Sequence, residues 1–138
     1  MSEANKDLVR EFHDKAINAH DVDALATFVA DDLIDHNAMP DMPSGLEGMA
    51  AMMSAFFTGF SDVRSEVQDL IAKGDRVAVR VRTTGTHDGE FMGNAPTGKT
   101  FEIDEIHIVR IEGGKMVEHW GLEDSVAMMG QLGISPPG

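Results

Sequence analysis

The stretch FEIDEIHIVRIEGGKMVEHWGLE, residues 101–123, decides the fold. Two runs of alternating side chains flank Glu112-Gly113-Gly114-Lys115, and a paired glycine between β-patterned runs is a hairpin signal. Which side chains share a face depends on the turn, because a slip of one residue turns every side chain over. A two-residue Gly113-Gly114 turn pairs Ile111 with Met116 and sets His107 opposite Trp120. A type I turn with a bulge at Gly114 pairs Ile111 with Lys115 and sets His107 opposite His119. The second segregates the chemistry better and is the register expected. Ile103, Glu105, His107, Val109, Val117, His119, Gly121 and Glu123 then form one face. Asp104, Ile106, Ile108, Met116, Glu118, Trp120 and Leu122 form the other, with Arg110 one diagonal step from Glu118.

Upstream, the same period of two runs through Val63, Ser65 and Val67 to Leu70-Ile71-Ala72. It resumes after the Lys73-Gly74-Asp75 turn in Val77, Val79 and Val81. A Gly-, Pro- and Asn-rich loop fills residues 87–100. Before the strands the period is helical. Leu8, Val9, Phe12, Ala16 and Ile17 mark a helix from Glu3 to about Ala19. Asp21 caps a short second helix with Val22, Leu25, Phe28 and Val29 inward, ended by Asp31-Asp32. After a loop containing Asp35-His36-Asn37-Ala38-Met39-Pro40, a third helix spans roughly Leu46 to Gly59. Its stripe of Leu46, Met49, Ala50, Met53, Phe56, Phe57 and Phe60 is unusually apolar. A short helix near Asp124 to Leu132 closes the chain. Three helices followed by hairpin-linked strands describe one α+β domain over residues 1–138, helices packed on an antiparallel sheet.

Composition narrows the function. Eleven Lys and Arg against 24 Asp and Glu give a formal charge of −13. That field repels a phosphate backbone, so nucleic acid is not an expected partner. There is no cysteine, and no apolar run approaches the ~18 residues of a membrane span. A cytoplasmic location and no membrane partner are expected. Residues 93–100, Gly-Asn-Ala-Pro-Thr-Gly-Lys-Thr, match the phosphate-loop pattern letter for letter, but that motif must open a helix. Here it runs into the β-patterned Phe101-Glu102-Ile103-Asp104, so it is read as a strand connection.

The segments GNAPTGK (93–99), IHIVRI (106–111), GKMVEHW (114–120) and QLG (131–133), with Asp35-His36 more loosely, resemble the SnoaL-like polyketide cyclases of the NTF2-like superfamily. The resemblance implies a cystatin-like cone holding a small hydrophobic substrate, frequently in a homodimer. It also implies intramolecular aldol closure by acid–base side chains, with no cofactor. The family's acid–base pair aligns with His107 and with an Asp at the position of Gly121, so the carboxylate is missing here. Glu105, the expected cross-strand neighbour of Gly121, or Asp124 stands in for it.

The candidate catalytic residues are therefore His107, Glu105, His119 and Asp124. Histidine beside a carboxylate is suited to proton transfer near neutral pH, although two cross-strand histidines can also merely satisfy each other. His36, Asn37, Met39, Met53, Phe57, Trp120 and Glu123 are the expected substrate contacts. No metal-ligand spacing is present, and no metal is expected. A non-catalytic binder of a hydrophobic ligand, or an accessory dimeric domain, remain the alternatives. A homodimer through the outer sheet face is expected, because both parities of residues 106–111 are largely apolar.

Overall fold

The computed structural model describes residues 2–38 and 41–134. Val9, Phe12 and Ala16 recur at three and four residues and are all buried, which fixes the inner face of helix α1, Ser2–Phe12. The helix continues as a wider π turn, His13–Ile17, and stops short of the expected Ala19. Asp21 caps the next turn as expected, accepting the Ala24 N–H at 3.2 Å. A 3₁₀ turn, Val22–Ala24, leads into the single turn of α2, Leu25–Phe28.

The chain then departs from expectation. Val29 continues the helical spacing of Leu25 and Phe28, yet it opens strand β1, Val29–Asp35. Asp31-Asp32 thus lies within a strand and does not terminate a helix. Helix α3, Gly45–Gly59, follows close to its expected limits. Four strands come next: β2 Arg64–Lys73, β3 Arg76–Thr86, β4 Thr100–Glu112 and β5 Lys115–Glu123. Helix α4, Ser125–Leu132, is capped by Asp124, which accepts the Ala127 N–H at 3.1 Å.

The sheet order is β1-β5-β4-β3-β2. All neighbours run antiparallel except β1, which lies parallel to β5 and adds a fifth strand to the four expected. Register shifts in the β1–β5, β2–β3 and β4–β5 pairs each insert unpaired residues, and such bulges bend a sheet. Helix α1 packs over β2 and β3, and α3 over β1. The inner face of β4 and β5 therefore lies between the two helices. One core joins Val9, Phe12, Leu25, Phe28 and the β3 valines; a second gathers Phe60, Phe91, Phe101, Met128 and Leu132 at the other end.

The central hairpin corrects the expected register. Gly113 and Gly114 both have positive φ, +58° and +75°, and Glu112 pairs with Lys115. This is a two-residue turn of the I′ kind, whose twist suits the flanking strands. Ile111 pairs with Met116, not Lys115, and Met116 is buried on the inner face. One step later the pairing jumps, so that Arg110 faces Glu118 and Val117 is the extra residue. His107 consequently lies opposite Gly121, not opposite His119, but both histidines keep the inner face.

The phosphate-loop look-alike is a connection folded around His87. That residue is fully buried. Its N–H donates to the Lys99 carbonyl at 2.8 Å, its carbonyl accepts from Gly98 at 2.9 Å, and its Nδ1 meets Thr97 Oγ1 at 3.1 Å. Thr100 then starts β4. No helix follows to present N-terminal amides to a phosphate.

Candidate active site

Alternation along three strands builds the site. From β4, Glu105 and His107 point inward two residues apart; from β5 comes His119. From β1, Leu33 is buried and Asp35 follows it on the same side. The four polar groups form one continuous chain. Glu105 Oε1 lies 2.8 Å from His107 Nε2, His107 Nδ1 lies 2.9 Å from His119 Nε2, and His119 Nδ1 lies 2.8 Å from Asp35 Oδ1. Their side chains are mostly buried but still reachable, from 13 % exposed at Glu105 to 23 % at His107.

The surroundings shift the charges. Burial alone raises a carboxyl pKa. At Glu105 the hydrogen bonds from His107 and Thr83 outweigh burial and hold the group below the ordinary value. At Asp35 the bonds from His119 and the Asn37 N–H do the same. Glu123, the cross-strand partner of Glu105, moves the other way, raised by desolvation and then by the neighbouring Glu105 charge. Two carboxyls pushed apart in this way divide naturally into a base and an acid.

His13 completes the setting. It is buried in the π turn, 3.1 Å from Ser65 Oγ. Burial lowers its pKa to about 4, with His107 adding to the effect and Glu105 opposing it. The sequence carried its signal, since His13 stands four residues after Val9 and three before Ala16, on the helix's inner stripe.

The remaining expected site residues fall elsewhere. Asp124 caps α4 and lies outside the chain of four. His36 and Trp120 stack on each other at 4.9 Å on the outer face, with the Arg76 guanidinium 4.9 Å from the Trp120 ring. His36 also meets Glu118 at 2.7 Å. His36 turns outward because it follows the inward Asp35 at the end of β1, and Trp120 because it follows the inward His119 on β5. Asn37 serves the backbone: its side chain donates to the Gly121 carbonyl and accepts the Gly121 N–H at 2.5 Å. Phe57 stacks on His20 at 4.4 Å, and Met53 packs on the first core. Met39 lies outside the described residues. Among the described residues no group of three or more potential ligands is arranged to hold a metal ion. No helix there is long and apolar enough to cross a membrane.

The elements thus form a small α+β fold with helices on one sheet face and a carboxylate–histidine chain set between them. The family this protein belongs to is that of the SnoaL-like polyketide cyclases, whose sequence profile matches residues 7–132. The aklanonic acid methyl ester cyclase DauD of Streptomyces sp. (strain C5) is 29 % identical over 130 residues, 92 % of this chain and 80 % of the relative. DnrD of Streptomyces peucetius, another aklanonic acid methyl ester cyclase, is also 29 % identical over 130 residues, 92 % of this chain and 89 % of its own. Among solved structures, IdmH from Streptomyces antibioticus, proposed to be a polyketide cyclase, superposes with a TM-score of 0.80 at 33 % identity, covering 94 % of this chain and 99 % of its own. TsrD from Streptomyces laurentii does so at 0.87 and 26 %, covering 96 % and 97 %.

Proposed function

We propose that this chain closes a ring in a small, largely hydrophobic carbonyl compound by intramolecular aldol addition, using side-chain acid–base chemistry and no cofactor. The observation that carries the reading is the unbroken Glu105–His107–His119–Asp35 chain between the helices. In such a reaction a base takes a proton from the carbon next to one carbonyl. That carbon bonds to a second carbonyl carbon, and the oxygen released from its π bond takes a proton. Base uptake and acid delivery are both needed, and ionised Glu105 with the raised carboxyl of Glu123 can supply them. Aklanonic acid methyl ester, the compound for which DauD and DnrD are named, is the first substrate to test. His107→Ala is expected to lower turnover by ~10²–10⁴ while the circular dichroism spectrum is kept. Turnover at the parent rate would remove the acid–base reading.

The family resemblance favours a second reading, binding without turnover, because it implies an acid–base Asp at position 121, where this chain has Gly. In that case His107→Ala would retain a copurified ligand and change only stability.

The assembly we propose is a homodimer through the outer sheet face. Ile106, Ile108 and Leu122 are 54 %, 39 % and 79 % exposed there, side by side on β4 and β5. Clustered exposed apolar side chains of this kind mark interaction surfaces. Sedimentation giving a monomer at micromolar concentration would refute it. A cysteine-free chain suits a reducing compartment, and the cytoplasm is the proposed location.

A further inference from the structure

We infer that Asp35, His119, His107 and Glu105 act as one proton relay, with Asp35 as the second carboxylate and Gly121 as the residue that lets the relay close. This rests on the acid–base reading of the same site and adds its wiring. The chain contains three contacts between four groups, each 2.8 or 2.9 Å long. Each contact needs one proton, no more and no fewer, to be a hydrogen bond and not a repulsion. Three protons among two imidazoles and two carboxyls leave a net charge of −1.

Three arrangements satisfy that count. With both carboxylates ionised, the rings share three N–H protons, so one ring is an imidazolium. Alternatively Glu105 is protonated and donates to His107 Nε2, His107 Nδ1–H donates to His119, and His119 Nδ1–H donates to Asp35. In the third, every proton has moved across its contact, so Asp35 is protonated and Glu105 carries the charge. Passage between the last two moves the negative charge from one end to the other without moving a heavy atom. A base at one end is thereby coupled to an acid at the other. Three contacts at hydrogen-bond distance, with a carboxyl held below its ordinary value at each end, correspond to the first arrangement, which is taken as the resting one.

Gly121 is the structural condition. A Cβ built there would collide with His107 Nδ1 and lie 3.0 Å from both His107 Cε1 and His119 Nε2. It would wedge apart the two rings that the central contact joins. Asn37 holds the Gly121 backbone in place through both its N–H and its carbonyl. No side chain at 121, and so no Asp there, fits beside this His–His contact. Asp35 supplies its charge through His119 instead, as a positioning residue and not as a direct contact of His107. The other titratable groups facing the relay are His13 from the π turn and Glu123 from β5, both present in every variant below.

The test is an imidazole ¹⁵N–¹H spectrum of the full chain at about pH 7, which needs no substrate. The resting arrangement requires three protonated nitrogens among the four of His107 and His119. Asp35→Asn is expected to move the His107 ring nitrogens toward the neutral form, although the two residues do not touch. In the Gly121→Ala background the same substitution is expected to leave His107 unmoved. Unchanged His107 resonances in Asp35→Asn would overturn the relay, and that variant decides the matter even if Gly121→Ala does not fold. Coupled resonances in a protein that turns over no substrate would leave the relay standing and remove the enzyme reading.

Discussion

The two faces of the β4–β5 hairpin invert the usual rule for a half-buried sheet. The inner face, which a core would fill with apolar side chains, carries Glu105, His107 and His119. The outer face, which water would ordinarily claim, carries Ile106, Ile108 and Leu122. Each inversion costs stability unless something compensates. Inside, the compensation is visible: every polar group of the chain has a partner at hydrogen-bond distance. Outside, the Arg110–Glu118 pair at 2.9 Å and the Trp120 stack cover part of the surface and leave the isoleucines open. The contrast teaches that one strand can present two different surfaces because its side chains alternate, the inner one proposed for chemistry and the outer one for association.

The largest expected effect breaks the inner face at its carboxylate. Glu105→Gln is expected to cut turnover by ~10² or more, whereas Asp124→Asn keeps the helix cap, since the amide oxygen still accepts the Ala127 N–H, and should leave turnover unchanged. A fully active Glu105→Gln beside a dead Asp124→Asn would move the proton-transfer role to Asp124.

Acid is expected to break the inner face next. His13 titrates at about 4 in the folded protein, below the 6.5 of the free side chain. The unfolded chain therefore takes up this proton first as pH falls, and stability drops through that window, by roughly 3 kcal/mol. Asp35 and Glu105, with lowered values, extend the loss further into acid, because their contribution exists above the unfolded carboxyl pKa and disappears as they protonate. Urea midpoints measured between about pH 7 and pH 4 should follow this slope, and His13→Asn should flatten its upper part. A flat parent curve would mean that His13 is not held neutral.

On the outer face, Leu122→Lys is expected to weaken self-association by about 2 kcal/mol per side chain and to leave turnover unchanged per folded site. Analytical ultracentrifugation across a concentration series reads this directly. An unaltered dimer would place the interface elsewhere. The smallest effect sharpens the hairpin itself. Gly114→Ala puts a Cβ at φ +75° and should cost about 1 kcal/mol without altering which face His107 occupies.

The hairpin faces were legible in the sequence because parity depends on how many extra residues are inserted, not on where. An extra residue at Gly114 and one at Val117 leave His119, Gly121 and Glu123 on the same side; only the residues between turn and bulge change face. Met116 is the one misplaced for that reason. Strand β1 was not legible. Its sequence, Val-Ala-Asp-Asp-Leu-Ile-Asp, lacks clean alternation, and a parallel pairing leaves no turn signal nearby. With the strand unread, Asp35 and His36 could not be assigned to faces, and the outward histidine drew attention that belonged to the inward aspartate. Trp120 is a different case: the expected register already set it on the outer face, and only its aromatic bulk suggested a substrate contact.

The central claim is that the inner face of this hairpin moves a proton from carbon. The most direct measurement is hydrogen–deuterium exchange, in D₂O, at the carbon next to a carbonyl of aklanonic acid methyl ester. The parent protein should catalyse that exchange, and His107→Ala, still folded and still binding the compound, should be slower by ~10² or more. Equal exchange by both proteins would contradict the account.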